Sequence, residues 1–436
     1  MKILVVGGGG REHALVQKIS ESPGVRNNRG IHCVPGNAGI AAAGAHCTPI
    51  KATDIDAIIH YAQSHAFSLV VVAPDDPLAM GLVDKLEALG IPAFGPTKSA
   101  AAIEYSKVFA KELMLSHGIP TAAYQSFTCH QVAARYIHSL DSWPVVIKAD
   151  GLALGKGVII AQSEEEALTA IRRMMEEKVF GESGTSIVVE EFLSGPEVSV
   201  LAFCDGETVV PMISAMDHKR ALDGDMGPNT GGMGTIAPNP LYTTEIAKRC
   251  MNEIFLPTLR AMKALGCPFK GCLYFGLMLT ALGPKVIEYN CRFGDPEAQV
   301  VLSLLESDIV EIMLACREGR LGEVDIKWKS GAAACVVLAS GGYPESYQTG
   351  LPIEGLTTTG QLPGGNAVIY HAGTRKDEQG RFLTAGGRVL GVTATGVDLA
   401  QALETAYSCV GQVSFPGKHY RKDIGGAESL AVFVNR

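Results

Sequence analysis

Short, uninterrupted apolar runs alternate with segments of helical period through residues 1–97, and that alternation leaves few folds open. Lys2–Val6, Ile31–Pro35 and Leu69–Ala73 read as strands with little or no polar face. A strand apolar on both faces must be covered on both, as in a parallel sheet between helical layers. Arg11–Ser22, with Ala14, Leu15 and Ile19 at helical spacing, supplies one covering helix. Asp54–Ser64, with Ile55, Ile58, Ile59 and Ala62 inward, supplies a second. A third opens at Pro77, where a missing N–H costs nothing in the first turn, and runs to Ala88. Ligands of such sheets sit beyond the carboxyl ends of the strands. Gly7–Gly10, Pro35–Gly39 and Pro74–Pro77 fall there.

From Lys98 the pattern changes. Two helical stretches lead to the helix stop His117-Gly118-Ile119-Pro120. A compact block of strands and helices follows, to near Leu193. Then come a glycine-rich loop (Asp217–Gly234), a helix near Thr244–Ala264, and strands Cys272–Leu279 and Lys285–Asn290. The remainder is glycine-rich and strand-dominated, with a helix near Asp398–Val410. The expectation is an α/β multidomain chain. Residues 1–97 form the N-terminal parallel-sheet unit. Residues 98–328 form a two-lobed core, with 98–119 and 194–328 in the larger lobe and 120–193 in the smaller. Residues 329–436 form a small strand-rich α+β unit.

The formal charge is −8 and no long like-charge block is present, so the basic stripe of a nucleic-acid binder is missing. Runs such as Leu69–Ala73 and Leu273–Leu279 stop far short of the ~18 residues of a spanning helix, so no membrane partner is expected. The N-terminus runs from a strand straight into glycines, without a signal-peptide core. The eleven cysteines are scattered and contain no C-x-x-C pair, which reads as reduced thiols in a cytoplasmic protein.

Gly7-Gly8-Gly9-Gly10-Arg11-Glu12-His13 joins a strand to a helix, where exposed N–H groups and Arg11 suit a phosphate or merely make a tight turn. A dinucleotide fingerprint fails: its third small residue falls on Glu12 or His13, and Pro35–Gly39 replaces the acidic residue ending the second strand. Lys148-Ala149-Asp150-Gly151-Leu152-Ala153-Leu154-Gly155-Lys156-Gly157 lies between two strands. It has the wrong spacing for a Walker A loop and reads as a hairpin flap whose N–H groups could fold over phosphates. Glu190-Glu191-Phe192-Leu193 ends a strand joining two lobes, where backbone can meet an adenine edge and a nearby acid such as Glu197 a ribose hydroxyl. In Glu288-Tyr289-Asn290-Cys291-Arg292 the side chains of Glu288, Asn290 and Arg292 share a face. Two oxygen ligands and a cation there suit Mg²⁺ bridging phosphates. Cys291 should face the other way. Lys107 and Lys148 bracket the smaller lobe, and Lys148 ends an apolar strand, where a charge demands a reason.

These residues in this order resemble the ATP-grasp superfamily. The match narrows at Gly9–Leu15, Pro35–Gly39, Lys148–Val158, Asp217–Arg220, Gly227–Gly234, Asn290–Glu297 and His371–Thr374, all similar to the phosphoribosylamine–glycine ligase family. The resemblance covers essentially the whole chain. It implies a pre-ATP-grasp N-terminal domain, an ATP-grasp core, and ATP with Mg²⁺ or Mn²⁺. Glycine and 5-phosphoribosylamine would be the small-molecule substrates, and the protein a monomer or homodimer. It implies ATP contacts from Lys107, Lys148, Gly151, Gly155, Lys156, Gly157, Glu190, Glu191, Phe192, Leu193 and Glu197, and metal ligation by Glu288 and Asn290. Arg292, Lys219 and Asp217 would serve catalysis. Gly9, Gly10, Arg11, Glu12, Asn37, Asp75, Asn229, Gly294 and Asp295 would bind substrate. Ala73-Pro74-Asp75-Asp76-Pro77-Leu78 departs from the family's usual Gly-Pro-Glu-x-Pro-Leu, and Gly7–Gly10 from its Gly-Asn-Gly-Gly. His13, His218 and His371 read equally well as structural or functional. The C-terminal unit is expected to cover the cleft, with Gly386-Gly387-Arg388 near it.

Overall fold

In a computed structural model, residues 1–25, 30–152 and 157–426 are described, without the side chain of Glu182. The N-terminal strands are β1 (Ile3–Gly7), β2 (Ile31–Pro35), β3 (His46–Cys47), β4 (Leu69–Val72) and β5 (Ala93–Phe94). They form one all-parallel sheet in the order β3-β2-β1-β4-β5. Every residue of β1 and β4 is buried, as continuous apolar runs require. Helices α1 (Gly10–Ser20), α2 (Ala38–Ala42) and α3 (Ile55–His65) follow the first three strands. The helix expected from Pro77 is two helices, α4 (Asp75–Ala79) and α5 (Leu82–Ala88). Between them Gly81 takes φ +82, a left-handed turn that ends the first and starts the second.

Helices α6 (Lys98–Tyr105) and α7 (Lys107–Ser116) lead into a lid. Its sheet, β6 (Tyr124–Phe127), β7 (Val145–Ala149), β8 (Val158–Ala161) and β9 (Ile187–Glu191), is antiparallel in the order β6-β9-β7-β8. Helices α8 (His130–His138) and α9 (Glu164–Ile171) pack on it around an apolar core of its own, including Phe127, Ile137, Ile147 and Met174. The lid returns through Gly195, where φ is +146 and a Cβ would lie 2.2 Å from the Leu279 carbonyl oxygen, so the chain crosses there only as glycine.

The larger lobe carries β10 (Glu197–Asp205), β11 (Val209–Pro211), β12 (Met216–Asp217), the hairpin β13 (Arg220–Leu222) with β14 (Met226–Asn229), then β15 (Gly234–Ala237). Helices α10 (Thr244–Cys250) and α11 (Leu256–Ala264) are joined by a π-turn over Met251–Phe255. Pro257 in the first turn of α11 has no N–H for the i−4 carbonyl, and the wider turn absorbs the lost bond. Strands β16 (Lys270–Thr280) and β17 (Gly283–Asn290) complete the antiparallel sheet β11-β10-β16-β17, and α12 (Glu297–Leu304) and α13 (Ile309–Glu318) follow. Apolar residues of the N-terminal sheet and of this sheet, such as Val6, Val72, Val200 and Phe275, belong to one continuous core.

The C-terminal strands are β18 (Ala332–Ala339), β19 (Val368–His371), the pair β20 (Thr374–Lys376) and β21 (Phe382–Thr384), and β22 (Arg388–Gly396), with helix α14 (Leu399–Val410) capped by Asp398. Their main sheet runs β12-β15-β18-β22-β19, so two of its five strands come from within the 98–328 segment. The C-terminal segment is thus hydrogen-bonded through β15 to the region that carries the site.

Three buried histidines lock these units together. The His371 N–H donates to His13 Nδ1 at 2.8 Å, joining β19 to α1, while the His371 ring bonds Thr374 Oγ1 (2.9 Å) and the Gly360 carbonyl (2.8 Å). The His218 ring bonds the Gly234 carbonyl through Nδ1 (3.2 Å) and accepts from the Gly425 N–H at Nε2 (3.1 Å), which fixes a neutral ring. Burial pushes the His13 imidazole down to about 3, and those of His218 and His371 down to about 4. Folded-state values below the unfolded value of about 6.5 mean that the unfolded chain binds more protons between them, so stability is lost as pH falls through that window. Denaturant-unfolding midpoints are expected to decline from about pH 6.5 to pH 5, each ring contributing up to ~1.4 kcal/mol per pH unit. A midpoint constant over that range would show these rings accepting protons in the folded state.

Candidate active site

A cleft of about 690 Å³ opens where the lid, the larger lobe, the N-terminal sheet and β22 meet. On its floor, β17 pairs antiparallel with β16, setting Gly276 opposite Glu288 and Tyr274 opposite Asn290. Gly276 is required by space, since a Cβ would stand 2.9 Å from Glu288 Cγ. Glu288, Asn290 and Arg292 all line the cleft, as expected from their alternation. Tyr289 is turned away, its hydroxyl 2.9 Å from Thr258 Oγ1, and Cys291 is buried with its N–H donating to Glu104 Oε2 at 2.7 Å.

At the lid end, Glu190 is buried between two lysines, with Lys148 Nζ at 3.0 Å and Lys111 Nζ at 3.1 Å. Lys148 also donates to the Ile287 carbonyl at 2.9 Å, tying the lid to β17. Burial, helped by the nearby Lys148 charge and opposed by Glu190, lowers Lys111 to about 8. Lys107 donates to the Gly151 carbonyl at 2.7 Å. Asp150 anchors the start of the flap by accepting from Ser106 Oγ and the Val108 N–H, both at 3.2 Å, and from Ser186 Oγ at 2.9 Å. Gly151 sits at φ +144 with Ser183 Oγ 2.4 Å from where a Cβ would be, so the flap begins with a residue that must be glycine. Gly151, Gly157, Glu191, Phe192 and Leu193 line the cleft, and the predicted contacts Gly155 and Lys156 lie outside the described residues. Glu191 bonds Lys285 Nζ (2.8 Å) and the Ala123 N–H (3.0 Å).

Opposite β17, Lys219 stands between Glu197 at 3.1 Å and Glu288 at 3.6 Å. Burial opposes its charge, but those carboxylates outweigh it and hold the ammonium well above its usual range. Glu288 is held below the usual carboxylate range: burial opposes ionisation, but Lys219, Lys148, Lys107 and Arg292 overcome it. Asp217 goes the other way. Burial and then the Glu297 charge push it well up, against Lys219 and Arg388. Arg292 pairs with Glu104 at 3.2 Å and donates to Asn290 Oδ1 at 3.2 Å. Asp295 accepts from Gln299 at 2.8 Å and pairs with Arg388 at 3.2 Å; burial works against its charge, and Arg388 and Arg11 keep it ionised. Arg11, Asp75, Glu197, Asp217, Lys219 and Asn229 line the same cleft.

Part of the expected substrate set is structural. Asn37 Nδ2 donates to the Gly8 carbonyl (2.9 Å) and the His371 carbonyl (2.7 Å), and its Oδ1 caps α2 by accepting from the Gly39 and Ile40 N–H groups (both 2.9 Å). That commits the whole amide to the fold. Glu12 is buried and caps its own helix, accepting from the Gly9 N–H at 2.6 Å and from Arg11 Nε at 2.7 Å. A carboxylate from the chain thus satisfies one of the N–H groups at the start of α1. Gly9, Gly10 and Gly294 are not among the described residues that line the cleft. A Cβ on Gly10 would meet Gln299 Nε2 at 2.6 Å, and one on Gly294 would meet Glu297 Oε2 at 2.4 Å.

Sequence reasoning missed Glu104, Lys111, Glu297 and Tyr343 as cleft residues. Lys111 lies one helical turn after Lys107, a spacing that puts both on one face and could have revealed it. Arg388, only loosely expected near the cleft, reaches the Asp295 carbonyl at 2.7 Å and the Gly231 carbonyl at 2.5 Å. The cleft therefore sets lysines and arginines beside ionised carboxylates, a pattern suited to a polyphosphate with a divalent cation. Glu288 and Asn290 offer two hard oxygens. Among the described residues no group of three His, Cys, Asp or Glu is placed to hold a metal ion. Two protein oxygens would leave most of the shell of a Mg²⁺ ion to phosphate oxygens and water.

Three family models match the chain: the N domain of phosphoribosylglycinamide synthetase over residues 1–104, its ATP-grasp (A) domain over 105–298 and its C domain over 333–427. Phosphoribosylamine–glycine ligase of Caldanaerobacter subterraneus subsp. tengcongensis is 46% identical over 97% of this chain and 99% of that one. The Caulobacter vibrioides ligase is 47% identical over 98% of each. The crystal structure of the Thermotoga maritima phosphoribosylamine–glycine ligase superposes with a TM-score of 0.84 at 33% identity, covering 97% of this chain and all of that one. Biotin carboxylase of Campylobacter jejuni shares the fold, with a TM-score of 0.74 at 16% identity over 96% and 93% of the two chains. With three matched segments that together span nearly its whole length, and a cleft of the composition described, the chain belongs to the phosphoribosylglycinamide synthetase family of ATP-grasp enzymes.

Proposed function

We propose that the chain ligates glycine to 5-phosphoribosylamine at the expense of ATP, by way of glycyl phosphate, in purine biosynthesis. The observation that carries this reading is the face of β17, where Glu288, Asn290 and Arg292 look across the cleft at Lys219. ATP would lie with its base near Phe192 and Leu193 and its phosphates among Lys107, Lys148 and the flap. Glu288 and Asn290 would hold Mg²⁺, or Mn²⁺ in its place, which when bound supplies charge neutralisation at the phosphates. Positioning and charge neutralisation account for most of phosphoryl transfer.

In the first step the glycine carboxylate, held by Arg292, attacks the γ-phosphorus. The bond to the β,γ-bridging oxygen breaks and ADP leaves. In the second step the amine nitrogen bonds to the carbonyl carbon while the C–O bond to phosphate breaks, releasing phosphate. The amine must lose a proton, and Asp217, a carboxyl group lining the cleft, would be the group to take it. Lys219 keeps its charge throughout, as its two carboxylate neighbours require. The enzyme would work in the cytoplasm; no helix among the described residues is long and apolar enough to cross a membrane.

Another ATP-grasp ligase with a different acceptor amine would use the same floor and flap. ADP release separates the two readings: it is expected only when glycine and phosphoribosylamine are both present, and release with glycine and an unrelated amine at equal rate would favour the alternative. Glu288→Ala and Asn290→Ala should each lower kcat by about a hundredfold or more while the protein stays folded. Near-normal turnover of either at ordinary Mg²⁺ would remove the metal assignment.

A further inference from the structure

The bulkiest fully buried side chain among the described residues is an arginine, Arg421, 0% exposed. It lies outside the cleft and takes no part in the chemistry above. One side of its guanidinium makes a bidentate bond to Asp423, with Nε and Nη2 at 2.8 and 2.7 Å from the carboxylate oxygens. Its Nη1 donates to the Arg220 carbonyl at 3.2 Å and to Asp225 Oδ1 at 3.1 Å. Both belong to the hairpin β13–β14 and its turn.

The neighbours of Arg421 repeat the attachment. His419 Nε2 bonds the Ala221 carbonyl at 2.6 Å, the Lys422 N–H donates to Asp223 Oδ1 at 2.7 Å, and the Gly224 N–H donates to Asp423 Oδ2 at 3.0 Å. The segment is anchored to the C-terminal sheet: His419 and Ala339 exchange backbone hydrogen bonds at 2.7 and 2.9 Å. Tyr407 of α14 accepts from the Ile424 N–H (2.9 Å) and donates to the Arg421 carbonyl (3.0 Å).

In the hairpin, Asp225 adopts φ +58, a left-handed conformation uncommon for a non-glycine residue, although aspartate tolerates it better than most. The same hairpin presents Arg220, Asp225 and Asn229 to the cleft and directly follows Asp217 and Lys219. Breaking a buried ion pair on one side is costly, so Arg421 holds the turn through a contact that cannot be half made.

We infer that residues 419–425 form a strap that sets the position of the active-site hairpin, with Arg421 as a positioning residue for the reaction. The inference rests on the function proposed above and gives the C-terminal segment a part in it: the segment holds the hairpin from behind, while Arg388 holds the following loop at Gly231 from the cleft side.

Arg421→Lys keeps the charge and loses the fork. Shown to be folded by circular dichroism, it should lower kcat by about a hundredfold with the KM for ATP nearly unchanged, because a misplacement of about 1 Å has that effect on turnover. Tryptic cleavage after Lys219 and Arg220 should accelerate while cleavage elsewhere stays at the parent rate. Normal turnover with unchanged hairpin protection would overturn the inference, as would faster cleavage at all sites together with activity loss matching the unfolded fraction. Tyr407→Phe loosens the strap without stranding a buried charge and should show the same pattern more weakly, so a failure of the first variant to fold leaves the second to decide. A parent protein without glycine-dependent ADP release would instead sink the proposed reaction, and the proteolysis result would still report on the strap.

Discussion

The ion pair of Lys219 with Glu197 and Glu288 is the contact on which the site turns. A cleft built for a polyphosphate and a carboxylate must gather cations and metal-binding carboxylates into a small volume. Left unpaired, such charges would repel or be neutralised by proton transfer. Here several are balanced before any substrate arrives: Lys219 by two carboxylates, Arg292 by Glu104, Asp295 by Arg388, and Glu190 by two lysines. These pairs join elements far apart in sequence, so the electrostatics of the site are also the joints of the fold. Lys148 binds lid to floor, Arg388 binds the C-terminal sheet to the loop before α12, and Arg421 binds the C-terminal segment to the β13–β14 hairpin.

Much of this was legible in the sequence. Continuous apolar runs demanded a buried parallel sheet, and β1 and β4 are buried throughout. Side-chain alternation put Glu288, Asn290 and Arg292 on one face, and the cleft receives all three. Lys148, a charge ending an apolar strand, has its explanation in Glu190 and the Ile287 carbonyl.

What the sequence hid has physical causes. Period and spacing report what lies along a segment, not what crosses between segments. The resemblance implied that Asn37 and Glu12 bind substrate, and both sit in glycine loops at strand ends. Their side chains instead satisfy local N–H groups and carbonyls, a competition decided by geometry that periodicity does not carry. Arg421 lies in a strand-rich segment with no nucleotide motif, and the hairpin residues it holds are 196 and 201 residues away. The sharing of β12 and β15 with the C-terminal sheet was invisible for the same reason: sheet partners separated by a lobe leave no local pattern.

Activation of the glycine carboxylate as an acyl phosphate is tested most directly by following its oxygen. With glycine labelled in both carboxylate oxygens with ¹⁸O and a complete reaction mixture, inorganic phosphate should emerge carrying one labelled oxygen, because the carboxylate oxygen that attacks phosphorus leaves with it. Phosphate released without label would contradict glycyl phosphate as the intermediate.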